Sequence, residues 1–331
     1  MDEFAKAKSA SSSGGSHSIV APLNLRLRRV RSTLPLWLQA WLPDLPPPTT
    51  RNLWLCLALL VAIQNCWVIQ NNFGSRDTVL AMLLWGGGLI CIEDQLEDLR
   101  PQPGLLGLVV GSVLLLWLMA RTATIVSMNG VLYVLTPLAG VALTLLCQPL
   151  RHLMRFRDAC FCLLLFPVSK VVAWWLIPDQ QLSEVTALGA AFWLSILGLD
   201  VAVDGRKVFL PGGAVSVAGI CNGIEIITML ICISAIFLLA FPVRSRRSRV
   251  ILILMAPVLG LISNTTRIAL LAILSSMGKS VGRGWFTFFH DNEGSLIFSA
   301  IAVFAYGAIY MRLLERELPP LDRQQQSGQE S

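Results

Sequence analysis

An all-α polytopic membrane protein of about eight transmembrane helices is the fold class this sequence predicts, and three observations predict it. Only 14% of the 331 residues are charged and 55% are hydrophobic, where soluble domains carry about 25% charged residues. The mean hydropathy over the whole chain is +0.66. Apolar stretches recur at about 17–25 residues, the length a bilayer core demands. They lack the alternation in segments of about ten residues that marks an outer-membrane barrel.

Residues 1–50 read as a disordered basic cytoplasmic tail with a short interfacial segment; its first 34 residues are Ser/Gly-rich, then basic, with no apolar run, unlike a cleavable signal peptide. Within it, Trp37 and Trp41 stand four apart before Pro46 to Pro48, the pattern of a short interfacial helix ended by proline. The spans expected in the membrane domain over 51–312 are 53–70, 78–92, 104–120, 130–148, 158–177, 221–242, 250–276 and 293–312. The stretch 183–199 is also apolar, but it is short and rich in small residues.

Charge decides that stretch. The net charge is +6. Its arginines cluster at Arg26 to Arg31, Arg151 to Arg157 and Arg244 to Arg249. In a soluble chain such clusters point to nucleic acid; between spans they mark cytoplasmic loops, with anionic membrane lipids as counter-charge. With the N-terminal tail inside, Arg151 to Arg157 fall inside and residue 178 falls outside. A crossing at 183–199 would then put Arg244 to Arg249 outside. The stretch is therefore expected to be re-entrant or to lie on the outer face, leaving both termini cytoplasmic, with the tail over 313–331 disordered. Between 200 and 220, apolar residues alternate between turns at Asp204-Gly205 and Pro211-Gly212-Gly213, which predicts short strands in hairpins on the outer face.

Eight cysteines and three histidines occur without a CxxC, so no metal or other cofactor is expected. Three polar residues stand out instead. Cys221 is read as opening a helix at the outer surface, where the dipole favours a thiolate. Gly219 and Gly223 flank it and leave room for a second backbone. Arg267 lies within a span and is a functional residue by default. Seventeen residues at about 1.5 Å each carry it roughly 25 Å from the inner end of its helix, into the outer part of the membrane. Asn264, three residues earlier, shares its face. His290 lies in the outer loop before the last span. One topology thus brings a nucleophile, a general base and an anion donor to one depth, the minimal equipment of a cysteine protease or transpeptidase.

Each residue also has a plainer reading. Cys221 packs, Arg267 forms an ion pair with Glu225, and His290 is a loop histidine. Glu225, one turn past Cys221, either makes that pair or positions the thiol, and Asp291 is placed to orient the imidazole. Lys170 in the fifth span is expected to snorkel outward. Glu93, Asp94, Glu97 and Asp98 read as a solvated cytoplasmic loop rather than a cation site.

Three segments resemble the exosortase/archaeosortase family of membrane-embedded sorting enzymes: "CNG" at Cys221, "NTTRI" from Asn264, and "HDNEG" from His290. Asn222 is most similar to the cyanobacterial branch, the cyanoexosortases. The resemblance covers about 50–312, and its specific part about 200–300. It implies Cys221, Arg267 and His290 as catalytic residues, with Asn222, Gly223, Glu225, Asn264 and Asp291 in support. It implies as partners exported proteins with a Pro-Glu-Pro motif, one transmembrane helix and an arginine-rich end. It also implies cleavage through a Cys221 thioester at the outer face of a bacterial plasma membrane, with Arg267 holding either the oxyanion or the motif's carboxylate. Two other functions are weighed against it. A transporter would line a path with polar residues, and the first four expected spans are nearly free of ionisable groups. A non-catalytic subunit of an envelope polysaccharide assembly system would tolerate replacement of all three residues.

Overall fold

The computed structural model describes residues 50–96, 99–124, 130–175, 178–277 and 282–317. The N-terminal tail and its interfacial segment lie outside the described residues, as does the C-terminal tail from 318. The chain divides into two units. The described part of the first is the opening turns of helix α1 (Thr50–Phe73) up to Leu60, with the irregular Leu99–Pro101.

The second unit holds α1 from Val61, α2 (Ser75–Ile90), the short α3 (Glu93–Leu96), α4 (Leu105–Thr124) and α5 (Gly130–Cys147). A 3-10 segment (Leu150–Phe156), α6 (Arg157–Trp175) and α7 (Asp179–Ile196) follow. Then come strands β1 (Ala202–Asp204), β2 (Lys207–Leu210) and β3 (Gly213–Ser216), and a 3-10 turn (Gly219–Cys221). The chain ends in α8 (Ile224–Ala240), α9 (Arg246–Ser276), α10 (Gly282–His290) and α11 (Asn292–Glu315). α11 outruns the boundary expected at 313.

Among the described residues, each apolar stretch read from the sequence is built mainly of helix. Five helices are long and apolar enough to cross a membrane: Thr50–Phe73, Leu105–Thr124, Gly130–Cys147, Arg246–Ser276 and Gly294–Glu315. By length and composition alone, five of the eight expected spans are thus shown among the described residues. α4 exposes Leu105, Leu106, Val113 and Leu116, a surface suited to lipid rather than water.

Two buried clusters organise the second unit. The larger joins α1, α2, α6, α8, α9 and α11 through residues such as Ile69, Leu84, Phe166, Leu230, Leu252 and Tyr306. The smaller joins the inner face of α7 (Ala187, Ala190, Leu194), the sheet (Val208, Leu210, Val215), Val217 just after it, Cys221 and the later part of α9 (Ile268, Leu271, Ala272). Small residues set the spacing: a Cβ on Gly260 of α9 would stand 2.9 Å from the Ile227 backbone of α8, so these two helices pack at backbone contact.

The sheet is antiparallel in the order β1-β2-β3. Val208 pairs with both Val203 and Val215. Alternation sends Val208 and Leu210 inward and Lys207 and Phe209 outward. The Pro211-Gly212 turn between β2 and β3 has proline first and a glycine at φ 96 second, the requirement of a type II turn. The hairpins expected from the sequence are present, and they lead directly into the Cys221 turn.

Candidate active site

Cys221 does not open a helix, contrary to the sequence reading. It ends the 3-10 turn, and α8 begins three residues later at Ile224. The cause is Gly223, which adopts φ 92, a left-handed conformation that breaks the helix before it starts. The thiol is therefore held by a loop, and the loop by side chains on two helices. Asn222 donates from Nδ2 to Asp179 Oδ1 at 2.7 Å and accepts at Oδ1 from the Ile224 amide at 3.0 Å. Thr186 of α7 donates to the Asn222 carbonyl at 2.8 Å. Asn264 of α9 donates from Nδ2 to the Cys221 carbonyl at 3.0 Å. Both asparagines are buried, and a buried backbone group demands such partners. No side chain fits at Gly223: a Cβ there would stand 2.7 Å from Asn264 Nδ2.

α10 supplies the imidazole. His290 is its last residue, and the ring stacks on Phe286 at 5.6 Å between centroids and 15° between planes. Nε2 faces Cys221 Sγ at 3.9 Å, and Nδ1 faces Asp291 Oδ1 at 3.5 Å. Trp285 and Phe288 stay exposed, giving this short helix an apolar outer face suited to an interface.

Arg267 joins the two. It is 3% exposed. Its Nε donates to the Phe289 carbonyl at 3.1 Å and its Nη2 to the His290 carbonyl at 2.9 Å. These are terminal carbonyls of α10, which lack partners within their own helix and lie at its negative end. A guanidinium has five N–H donors, so others remain, and the group lies beside Cys221. The buried arginine thus fixes the helix end carrying His290 while facing the thiol.

The residues singled out in the sequence accordingly lie together: Cys221 faces His290, Arg267 binds the His290 carbonyl, Asn222, Gly223 and Asn264 shape the loop, and Asp291 stands beside the imidazole. Glu225 departs from expectation. It pairs with Arg76 rather than with Arg267. Lys170 departs too, since it is half-buried, pairs with Asp77 and lies over the Phe73 and Phe166 rings at 5.6 and 6.0 Å instead of snorkelling. Arg76, Asp77 and Asp179 were missed. Arg76 and Asp77 stand in the first turn of α2, just before the span expected from 78, where an arginine at the edge of an apolar run was the available signal. Asp179 follows Pro178 at the start of α7, an ordinary helix-opening pattern.

Residues 76–307, more than two thirds of the chain, match the family model for transmembrane exosortases (Exosortase_EpsH). No curated protein and no solved structure matches. The matched stretch contains the Cys221 loop, Arg267 and His290. The protein is a multi-pass membrane protein that belongs to the transmembrane exosortase family.

Proposed function

We propose that this exosortase is a cysteine peptidase or transpeptidase that cleaves C-terminal sorting tails of the Pro-Glu-Pro type from exported proteins at the outer face of the plasma membrane. One observation carries the reading: a buried thiol faces an imidazole nitrogen at 3.9 Å while a buried arginine beside the thiol binds the main-chain carbonyl of the same histidine. Nucleophile–base contacts are often loose before substrate binds.

On this reading Asp291 favours the proton on Nδ1 of His290 and leaves Nε2 free to take the thiol proton. Sγ attacks the scissile carbonyl. The developing oxyanion accepts hydrogen bonds from the remaining Arg267 donors. Collapse breaks the C–N bond, His290 returns the proton to the leaving amine, and the substrate is held as a Cys221 thioester. Water or an acceptor amine or hydroxyl, deprotonated by His290, then releases it. The severed helix leaves in the membrane. The exposed aromatic face of α10 suits contact with the incoming helix, and the basic loops fit cytoplasmic ends on the opposite side. Asn222 is the feature that favours the cyanobacterial branch.

The test is co-expression of the wild type, Cys221→Ala or Cys221→Ser with a tagged protein bearing such a tail. The reading expects a mass shift with the wild type only; processing by either variant contradicts it.

A further inference from the structure

Arg76 has no part in the chemistry above, yet it is among the most connected charges of the molecule. Its guanidinium reaches the Glu225 carboxylate through Nη1 and the Ser295 hydroxyl through Nη2. Glu225 lies in the first turn of α8, four residues beyond Cys221, and Ser295 lies in the first turn of α11, five residues beyond His290. Ser295 is completely buried, and the Arg76 side chain is 11% exposed. Its own base is fixed, because the adjacent Asp77 binds Lys170 and so ties the start of α2 to α6.

One planar fork therefore spans the starts of the two helices that follow the thiol and the imidazole. Arginine suits this task because its donors diverge rigidly, whereas a lysine ammonium is a single point on a flexible stem. The Glu225 side chain is 41% exposed, so that arm is partly screened by solvent, but the Ser295 arm is buried, and together they resist sliding of α8 against α11. Arg267 cannot replace it, since its two side-chain hydrogen bonds run to the end of α10 and not to α8 or α11.

We propose that Arg76 is a positioning residue for the reaction at Cys221: by bridging Glu225 and Ser295 it holds the thiol and the imidazole at their working separation. This rests on the peptidase reading of the same site. A misplacement of about 1 Å costs on the order of 100-fold in rate, so the effect falls on turnover rather than on substrate capture.

The test compares full-length wild type with Arg76→Gln, Arg76→Lys, Glu225→Gln and Ser295→Ala, with Cys221→Ala alongside. Three quantities are read: kcat and KM for tail cleavage, the rate of iodoacetamide alkylation on the Cys221 peptide by mass spectrometry, and thermal stability. Arg76→Gln should lower kcat about 10- to 100-fold with KM changed less than about threefold, and should slow Cys221 alkylation severalfold. Arg76→Lys should recover only part of kcat. Should Arg76→Gln fail to fold, Glu225→Gln and Ser295→Ala, which each remove one arm, decide: both should lower kcat at constant KM. Wild-type kcat and alkylation in the folded variants, with only the melting temperature reduced, overturns the proposal. Alkylation needs no substrate, so it separates the two readings. If Cys221→Ala still processes substrate, the peptidase reading fails. If it does not and the Arg76 series behaves as wild type, the Arg76 proposal alone fails.

Discussion

Cys221 and Cys232 are eleven residues apart in one segment of chain, both buried, and built into opposite kinds of surroundings. Cys232 sits in the larger cluster among Leu230, Ile233 and Phe166, with its sulfur 3.8 Å from the Leu165 carbonyl. Cys221 sits at the edge of the smaller cluster against His290 and Arg267. The larger cluster satisfies its few polar atoms internally, as in the Tyr306 hydroxyl that donates to Ser234 at 2.7 Å. The smaller one spends its hydrogen bonds on holding a loop and a helix end: Asn222, Asn264, Thr186 and Arg267 all bind main-chain groups. Residue type does not distinguish a packing cysteine from a reactive one in this chain; the groups that aim at the sulfur do.

The contrast makes graded predictions. Cys221→Ser should lower tail cleavage at least about 10³-fold, as loss of a nucleophile does. Cys232→Ser should leave cleavage within about twofold and cost stability of roughly 1–3 kcal/mol for an extra buried hydroxyl. Equal loss of activity in the two variants would erase the distinction. Next comes Arg267→Gln, expected to lower kcat about 10²–10³-fold, the usual effect of removing an anion-stabilising donor. Arg267→Lys should rescue little, because a lysine lacks the planar fork that binds the two carbonyls and leaves donors free for the anion. Gly223→Ala should cost about 1–2 kcal/mol for the left-handed backbone alone, with activity lost beyond that because the new methyl displaces Asn264. The mildest expected effect is that of Asp291→Asn. Its side chain is 62% exposed and 3.5 Å from His290, so a loss of less than about fivefold in kcat is expected of so screened a contact. In the other region, Tyr306→Phe should cost about 1 kcal/mol of stability and leave cleavage unchanged.

Much of this was legible in the sequence, for identifiable reasons. Spans follow from apolar run length, and the hairpins from Asp204-Gly205 and Pro211-Gly212, because both signals are local. The meeting of Cys221, Arg267 and His290 was legible because a membrane protein reduces three dimensions nearly to one. Residues at a common depth have a limited area in which to miss each other. The partners within that plane were not legible. Glu225 had two arginines within reach of its depth, and only helix packing, set by contacts such as Gly260 on Ile227, assigns it to Arg76. Lys170 looked like a residue escaping to the interface because nothing in its own helix announces Asp77. The geometry at Cys221 differs from the sequence reading for a local reason: an apolar run after a glycine reads as a helix start, while the positive φ of Gly223 and the Asn264 side chain packed against it show only in the folded chain.

The decisive measurement is to trap the acyl-enzyme. Purified full-length protein would be mixed with a tail peptide, quenched in acid and digested, and the Cys221 peptide weighed with and without hydroxylamine. A mass increase equal to the N-terminal part of the substrate, on Cys221 alone and removed by hydroxylamine, is the predicted result. An adduct on another cysteine, or cleavage by the Cys221→Ala protein, would contradict it.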